Sequence, residues 1–408
     1  MRNFGVALGG LLISLFLSCK NETKTYNQNK LNQADVLLET IDSTLQSAVK
    51  QYSYLSEQVE PGEYPRSFEN DSLITSGSGW WCSGFYPGTL LYLDEAVGAP
   101  ALKKEAISFL DDLEREQTNT DTHDLGFMMF CSFGNANRLE SNDDYQTILM
   151  NSAKSLATRY HDKVKAIRSW NSEPWNDAGE GDLVVIIDNM MNLELLFWAT
   201  EHSNDSTYYD IAINHAETTL KNHFREDNSS YHQLIYDEET GNVKAKITRQ
   251  GLADSSAWAR GQAWGLYGYT VMYRVTKDKK YLNQANRIAD FILNHPNLPK
   301  DKVPYWDFNA PKIPNANRDS SAAAIIASAL LELSGYVQDE KADIYHKNAK
   351  EILTSLLSPE YFAAHKENGG FLLKHGVGHS PANSEVDVPL SYGDYYLVEA
   401  MLRFKNGK

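Results

Sequence analysis

Arg260-Gly261-Gln262-Ala263-Trp264-Gly265-Leu266-Tyr267-Gly268-Tyr269-Thr270-Val271-Met272-Tyr273-Arg274-Val275 would form a helix with apolar or small side chains on nearly every side. A helix that is hydrophobic all round is a buried helix. The segment that follows it, residues 279–295, is amphipathic with a period near 3.6 and keeps one side for water. The same contrast recurs along the chain. Residues 34–54, 101–115, 146–160, 207–224, 279–295 and 343–357 read as half-exposed helices. Residues 84–95, 125–139, 188–200, 260–275, 320–333 and 393–404 read as buried ones. The chain is 408 residues long, more than the roughly 250–300 that one simple core supports. A strictly alternating repeat escapes that limit. Six buried helices enclosed by six outer ones give an all-α fold, an (α/α)6 barrel.

In such a ring the N-termini of the inner helices gather at one mouth, with unpaired N–H groups and partial positive charge. That mouth suits a ligand carrying a carboxylate. Asp, Ser and Gly at helix starts are explained singly by capping. Capping does not explain Trp80, Trp81, Trp258, Arg260 and Trp264 at the same ends. Asp188 ends the apolar run from Leu183 to Ile187, so its carboxyl is either protonated or held in a paired polar network. His123-Asp124 opens the second inner helix as a cap or, if burial raises the carboxyl's pKa, as an acid–base group. Arg260 can grip a carboxylate through two parallel bonds, and Trp264 follows one turn later on the same face. An Arg fork beside an indole suits a ring bearing an acid group, such as a uronic acid. Asp307 reads as a loop-fixing acceptor, and Arg318 with Asp319 as a local ion pair and cap. His375-Gly376-Val377-Gly378-His379-Ser380-Pro381 reads as a mobile rim able to touch a leaving sugar.

The balance of 38 Lys and Arg against 54 Asp and Glu gives a net charge of −16 and argues against a nucleic-acid partner. Cys19, Cys82 and Cys131 are too few for a disulfide framework and lack zinc-binding spacing. The sequence has no GxSxG elbow, Walker loop, HExxH or EF-hand loop, so no metal and no cofactor is expected. Arg2 and Asn3 precede a short apolar run from Phe4 to Leu17, a secretory signal rather than a membrane span. Leu17-Ser18-Cys19 resembles a bacterial lipobox, although Phe16 replaces its usual aliphatic residue. The expected organisation is a lipoprotein signal at 1–18, a polar tether at 19–33 and a catalytic domain at 34–408. Lipid on Cys19 would anchor the protein in the cell envelope, at the outer membrane.

Several motifs, in order, resemble the unsaturated glucuronyl hydrolases of glycoside hydrolase family 88. They are Trp81-Cys82-Ser83-Gly84-Phe85-Tyr86-Pro87-Gly88, His123-Asp124, Asp188-Asn189-Met190-Met191-Asn192, Gln250-Gly251, Tyr305-Trp306-Asp307-Phe308, Arg318-Asp319-Ser320-Ser321 and Tyr392-Gly393-Asp394-Tyr395-Tyr396. The most specific is Trp258-Ala259-Arg260-Gly261-Gln262-Ala263-Trp264-Gly265. The likeness covers about residues 34–404. It implies removal of a 4,5-unsaturated uronic acid from the non-reducing end of anionic oligosaccharides left by polysaccharide lyases. It implies Asp188 as general acid and then base, and Asp124 as the second essential carboxylate. It implies Trp81, His123, His232, Thr248, Gln250, Arg260 and Trp264 as lining for the sugar site, with Ser380 on the rim. Many relatives that act on sulfated glycosaminoglycans carry Ser and Lys in the rim loop that here contains Pro381-Ala382-Asn383, which leaves gellan-, ulvan- and heparin-type products open as substrates. Two other readings are an unsaturated rhamnogalacturonyl hydrolase on the same barrel and a glycan-binding surface lipoprotein without catalysis.

Overall fold

The computed structural model describes residues 36–407. The signal, the tether and Cys19 lie outside the described residues. The chain divides into two units, residues 1–44 and 45–408. Helix α1 covers residues 36–56, so the first unit is helical over its described part, 36–44.

The second unit is an (α/α)6 barrel. Its inner ring starts with α2 (Phe85–Val97) and continues with a π-helical stretch, Gly126–Gly134, that runs into α4 (Asn135–Leu139). The third inner helix is a 3-10 turn, Ile187–Asn192, extended by α6 (Leu193–Ser203). The ring is completed by α8 (Ala259–Thr276), α10 (Ser320–Ser334) and α12 (Ser391–Lys405). Each inner helix packs on the next, and α12 packs back on α2. Helices α3 (Pro100–Leu113), α5 (Asp143–Ala157), α7 (Ser206–Asn222), α9 (Lys279–Asn294) and α11 (Asp339–Leu356) each lie outside the inner helix they follow. The Tyr52 hydroxyl ties α1 to α12 by donating to Asp394. Burial explains the alternation: α10 is buried from Ser320 to Leu331, whereas α9 buries only one stripe.

The connections differ sharply between the two ends. From inner to outer helix they are two to four residues long, and Gly98, Asn204 and Lys277 take left-handed conformations in them. From outer to inner helix they are long and carry every strand among the described residues. The hairpin of β1 (Tyr64–Glu69) and β2 (Ser72–Ser76) precedes α2. The short pair β3 (Tyr160–His161) and β4 (Ala166–Ile167) follows α5. Strands β5 (Asp182–Ile186), β6 (Gln233–Asp237) and β7 (Val243–Ile247) form an antiparallel sheet with β6 central. The hairpin of β8 (Gly376–His379) and β9 (Ser384–Val388) precedes α12, so the expected mobile rim is a paired structure. All this elaboration belongs to the mouth where the inner helices begin.

Two features of that mouth place side chains. In the β5–β6 register Ile186 pairs with Gln233 and the Ile187 N–H donates to the His232 carbonyl, so Asp188 and His232 are brought side by side. At the second inner helix, a Cβ on Gly126 would sit 2.4 Å from Asn192 Cα. Only glycine permits that approach, and the Phe127 N–H then donates to Asn192 Oδ1. Gly126→Ala is expected to cost about 1–3 kcal/mol by forcing these two helix starts apart. Thermal denaturation checks this, and an unchanged melting temperature would contradict the assigned packing.

Candidate active site

Asp188 stands at the start of the 3-10 turn, after a strand buried at every position. Its side chain is 13% exposed, and Oδ2 is buried with no hydrogen-bond partner among the described residues. Burial pushes its pKa up to about 7; the Arg260 charge pulls it down and the Asp124 charge raises it further. Asp124, also 13% exposed, precedes the π-helical stretch. Burial raises its carboxyl to about 7, opposed by the Thr122 hydroxyl, by the Arg159 charge and by a contact with the Asn192 side chain. His123 Nε2 lies 3.2 Å from Asp124 Oδ1, without the geometry of a hydrogen bond, and burial holds this ring neutral.

Asp394 is a useful contrast, because burial raises it to about 7 as well. Its oxygens, however, accept the Leu372 and Leu373 N–H groups and the Tyr52 hydroxyl. That carboxyl is a structural strut. Asp188 has an unsatisfied oxygen instead.

His232 aims at that oxygen. Its Nδ1 accepts the N–H groups of Arg249 and Gln250, which puts the proton of the neutral ring on Nε2. Nε2 lies 3.7 Å from Asp188 Oδ2 and has no partner within bonding range. Burial drives the imidazole pKa well below its usual value. Trp264 is buried with its Nε1 also unpartnered, yet close enough to lower the pKa of Asp188. The Tyr392 hydroxyl is a further buried group without a partner among the described residues. Unsatisfied buried polar atoms are rare because each costs free energy. Several at one mouth are the complement of a polar ligand.

The walls are aromatic. Trp81 packs on Tyr392 at 4.9 Å and on Phe127 at 5.5 Å, and Phe127 continues to Trp264 at 5.1 Å. On the other side His232 lies 4.7 Å from Trp258 and 5.7 Å from Trp170, which leads at 4.9 Å to the exposed Trp175.

Arg260 differs most from its expected use. Its guanidinium is buried, donates to Asp319 Oδ2 at 3.0 Å and to the carbonyls of Val377 and Gly378, and stacks over Trp258. Asp319, expected to pair with Arg318, caps α10 and holds Arg260, while Arg318 pairs with Asp301 at 2.9 Å. Adjacency in sequence suggested that pairing, but the packing of α8 on α10 sets Arg260 beside Asp319 instead. Asp307 does fix its loop, accepting from Leu252, Ser256 and Asn309. Thr248 Oγ1 accepts the Gly251 N–H, and Gln250 Nε2 reaches the Gly378 carbonyl at 3.3 Å. Ser380 is half-buried at the start of the turn joining β8 and β9. Asn192, Trp170 and Tyr392 border the site without having been singled out from sequence. Tyr392 opens an inner helix and was legible there; Trp170 sits in an irregular connection with no pattern around it.

A cavity of about 840 Å3 lies at the opposite mouth, lined by charged side chains from the C-terminal halves of the inner helices. Its charges are paired: Arg274 with Glu194 and Glu332, and Arg403 with Glu332 at 2.9 Å and Glu399 at 3.5 Å. The unsatisfied carboxyl is at the other end.

Fold and site together define an (α/α)6 barrel with a buried, unpartnered carboxyl at its elaborated mouth. The profile described as Glycosyl Hydrolase Family 88 matches residues 46–406, and the chain belongs to that family. It is 44% identical to an unsaturated glucuronyl hydrolase of Formosa agariphila, over 97% of this chain and 96% of that one. It is 32% identical to an unsaturated chondroitin disaccharide hydrolase of Streptococcus pyogenes, over 94% of this chain and 95% of the other. A solved unsaturated glucuronyl hydrolase specific for heparin superposes with a TM-score of 0.86 at 47% identity, covering 90% of this chain and 97% of that one. The activity is that of a glycosidase removing 4,5-unsaturated glucuronic acid from oligosaccharide ends. Neither alternative reading is favoured by these likenesses.

The raised carboxyl has a consequence for stability. Asp188 ionises near pH 4 unfolded and near 7 folded, so its burial costs nothing at pH 4 and progressively more up to pH 7. Asp188→Asn never ionises. Its melting temperature is expected to pull ahead of the parent's between pH 4 and 7 and then hold a constant lead. A difference independent of pH would show that the carboxyl titrates normally.

Proposed function

We propose that Asp188 is the acid–base group and that it acts on C4 of the unsaturated uronate. The carrying observation is its unpartnered Oδ2, with a carboxyl pKa near 7 beside a neutral imidazole. The C4=C5 bond of the substrate is an enol ether. Asp188 gives its proton to C4, which leaves an oxocarbenium shared by C5 and the ring oxygen. Water adds its oxygen to C5 and its proton returns to Asp188. The C5 hemiketal so formed opens to a ketone as C5–O5 breaks, and the hemiacetal left at C1 collapses to an aldehyde, breaking the glycosidic C1–O bond and releasing the second sugar as a free alcohol. Asp124 supports the acid by raising its pKa, and His123 backs Asp124 as a neutral ring. The N–H groups of His232 and Trp264 and the Tyr392 hydroxyl are donors for the bound uronate. Arg260, already bonded, acts by its fixed positive charge, which attracts the sugar carboxylate to a protein of net charge −16. Trp81 supplies a ring face; Thr248, Gln250 and Ser380 shape the loops above it.

Lyase digests of heparin and chondroitin, named by the relatives' activities, are the first substrates to try. Loss of the alkene ultraviolet band reports turnover. Asp188→Asn is expected to lower kcat by about three orders of magnitude, the scale of an essential acid–base group. The parent's kcat should fall as pH rises above 7 and the acid deprotonates. Near-parental turnover by that variant would remove Asp188 from the role.

We further propose that Cys19 carries lipid and holds the enzyme in the cell envelope, at the outer membrane. The basic start, short apolar run and Leu17-Ser18-Cys19 support this reading. Cys19→Ser is expected to abolish labelling by palmitate and release the protein to the soluble fraction. Retention of label would contradict it.

A further inference from the structure

On the flank of the barrel, between α7 and α9, is a second polar cavity of about 420 Å3, within the usual range for small-ligand sites. Arg225, Lys280 and Arg287 line it against one carboxylate, Glu226. These three cations offset, at this wall, the excess of acidic groups in a chain whose net charge is −16. Lys280 is partly neutralised by Glu217 at 2.7 Å and Asp278 at 3.1 Å. Arg225 is fixed in place by Ser229, by the carbonyls of Ser230 and Asp254, and by the Tyr231 ring 3.9 Å below it. Lys246 lies 5.2 Å from that same ring and adds positive charge behind the wall.

Two groups remain uncommitted. The exposed Arg287 guanidinium makes no ion pair or hydrogen bond among the described residues. Gln284 is 3% exposed, and its Nε2 has no partner among the described residues. A buried amide N–H without an acceptor is costly unless a ligand or water supplies one. Positions 280, 284 and 287 fall on one stripe of α9, and all three residues line the cavity.

We infer that this cavity is a second binding site, which takes a carboxylate or sulfate group of an anionic glycan chain remote from the end being cleaved. The inference rests on the substrate being an anionic oligosaccharide, as proposed above. Arg287 donates to the anion, the Gln284 amide turns outward to join it, and Arg225 and Lys246 supply the surrounding field. Asn228 and Asn283 in the wall offer amides for sugar hydroxyls, and Phe224 an apolar face. No residue of the catalytic mouth lines it. A chain held at both places gains affinity without any new contact at the cleaved end.

The test is calorimetric titration of the full chain with hexasaccharides of heparin and of chondroitin whose non-reducing ends are saturated, and separately with inorganic sulfate. Arg287→Glu and Gln284→Leu are compared with the parent, and turnover of an unsaturated disaccharide is measured on the same samples. At least one hexasaccharide should bind, more weakly at high salt, and about tenfold or more weakly to Arg287→Glu, the scale of a lost charge-assisted bond. Gln284→Leu should also weaken it, while disaccharide turnover stays at the parental level. Equal hexasaccharide affinity in parent and Arg287→Glu, or binding by sulfate alone, would overturn the inference. Absence of hexasaccharide binding would do the same. Failure of the catalytic reading appears separately, as absent disaccharide turnover in the parent.

Discussion

Taking a carboxyl group out of water without giving it a full set of donors is the constraint on which this molecule depends. Asp188 pays that desolvation cost at the mouth of the barrel, and the rest of the site limits it to a useful size. Arg260 lowers the pKa, Asp124 raises it, and burial outweighs both, leaving an acid poised near neutrality. Asp394 shows the alternative outcome nearby. More deeply buried, it is saturated by two backbone N–H groups and a phenol and serves only as a strut.

The barrel makes this possible by treating its two ends differently. At one end the helices are joined by two to four residues, and the cavity there is lined by paired Arg and Glu side chains. At the other, long connections fold into strands that bring in residues far apart in the chain. The β5–β6 register sets His232 against Asp188. The β8 strand brings the carbonyls of Val377 and Gly378 onto Arg260, more than a hundred residues away in sequence. Helix starts hold the carboxyls, and the inserted strands set His232 beside Asp188 and fix Arg260 in place.

Much of this was legible before the structure. The contrast between a helix such as α10, buried almost throughout, and α9, buried on one stripe, depends only on local side-chain chemistry, so twelve helices and their pairing emerge from pattern alone. Asp188 after an apolar run was conspicuous for the same reason. The strands were not visible, because the run from Leu183 to Ile187 reads equally well as a buried strand or as the start of a buried helix. Partner choice was not visible either. Arg260 was expected to keep its fork for the substrate and Arg318 to bind its neighbour Asp319; both are decided by contacts across the fold. Asn192 acquired its place through the absence of a side chain on Gly126, an effect no residue pattern signals.

The most direct test of the central claim is the titration of the Asp188 carboxyl itself, followed by carboxyl 13C chemical shift in labelled protein and assigned by its loss in Asp188→Asn. A midpoint near pH 7 is what burial beside Asp124 and Arg260 produces. A midpoint near 4, the value of a solvated aspartate, would contradict the account and leave the mouth of the barrel without its acid.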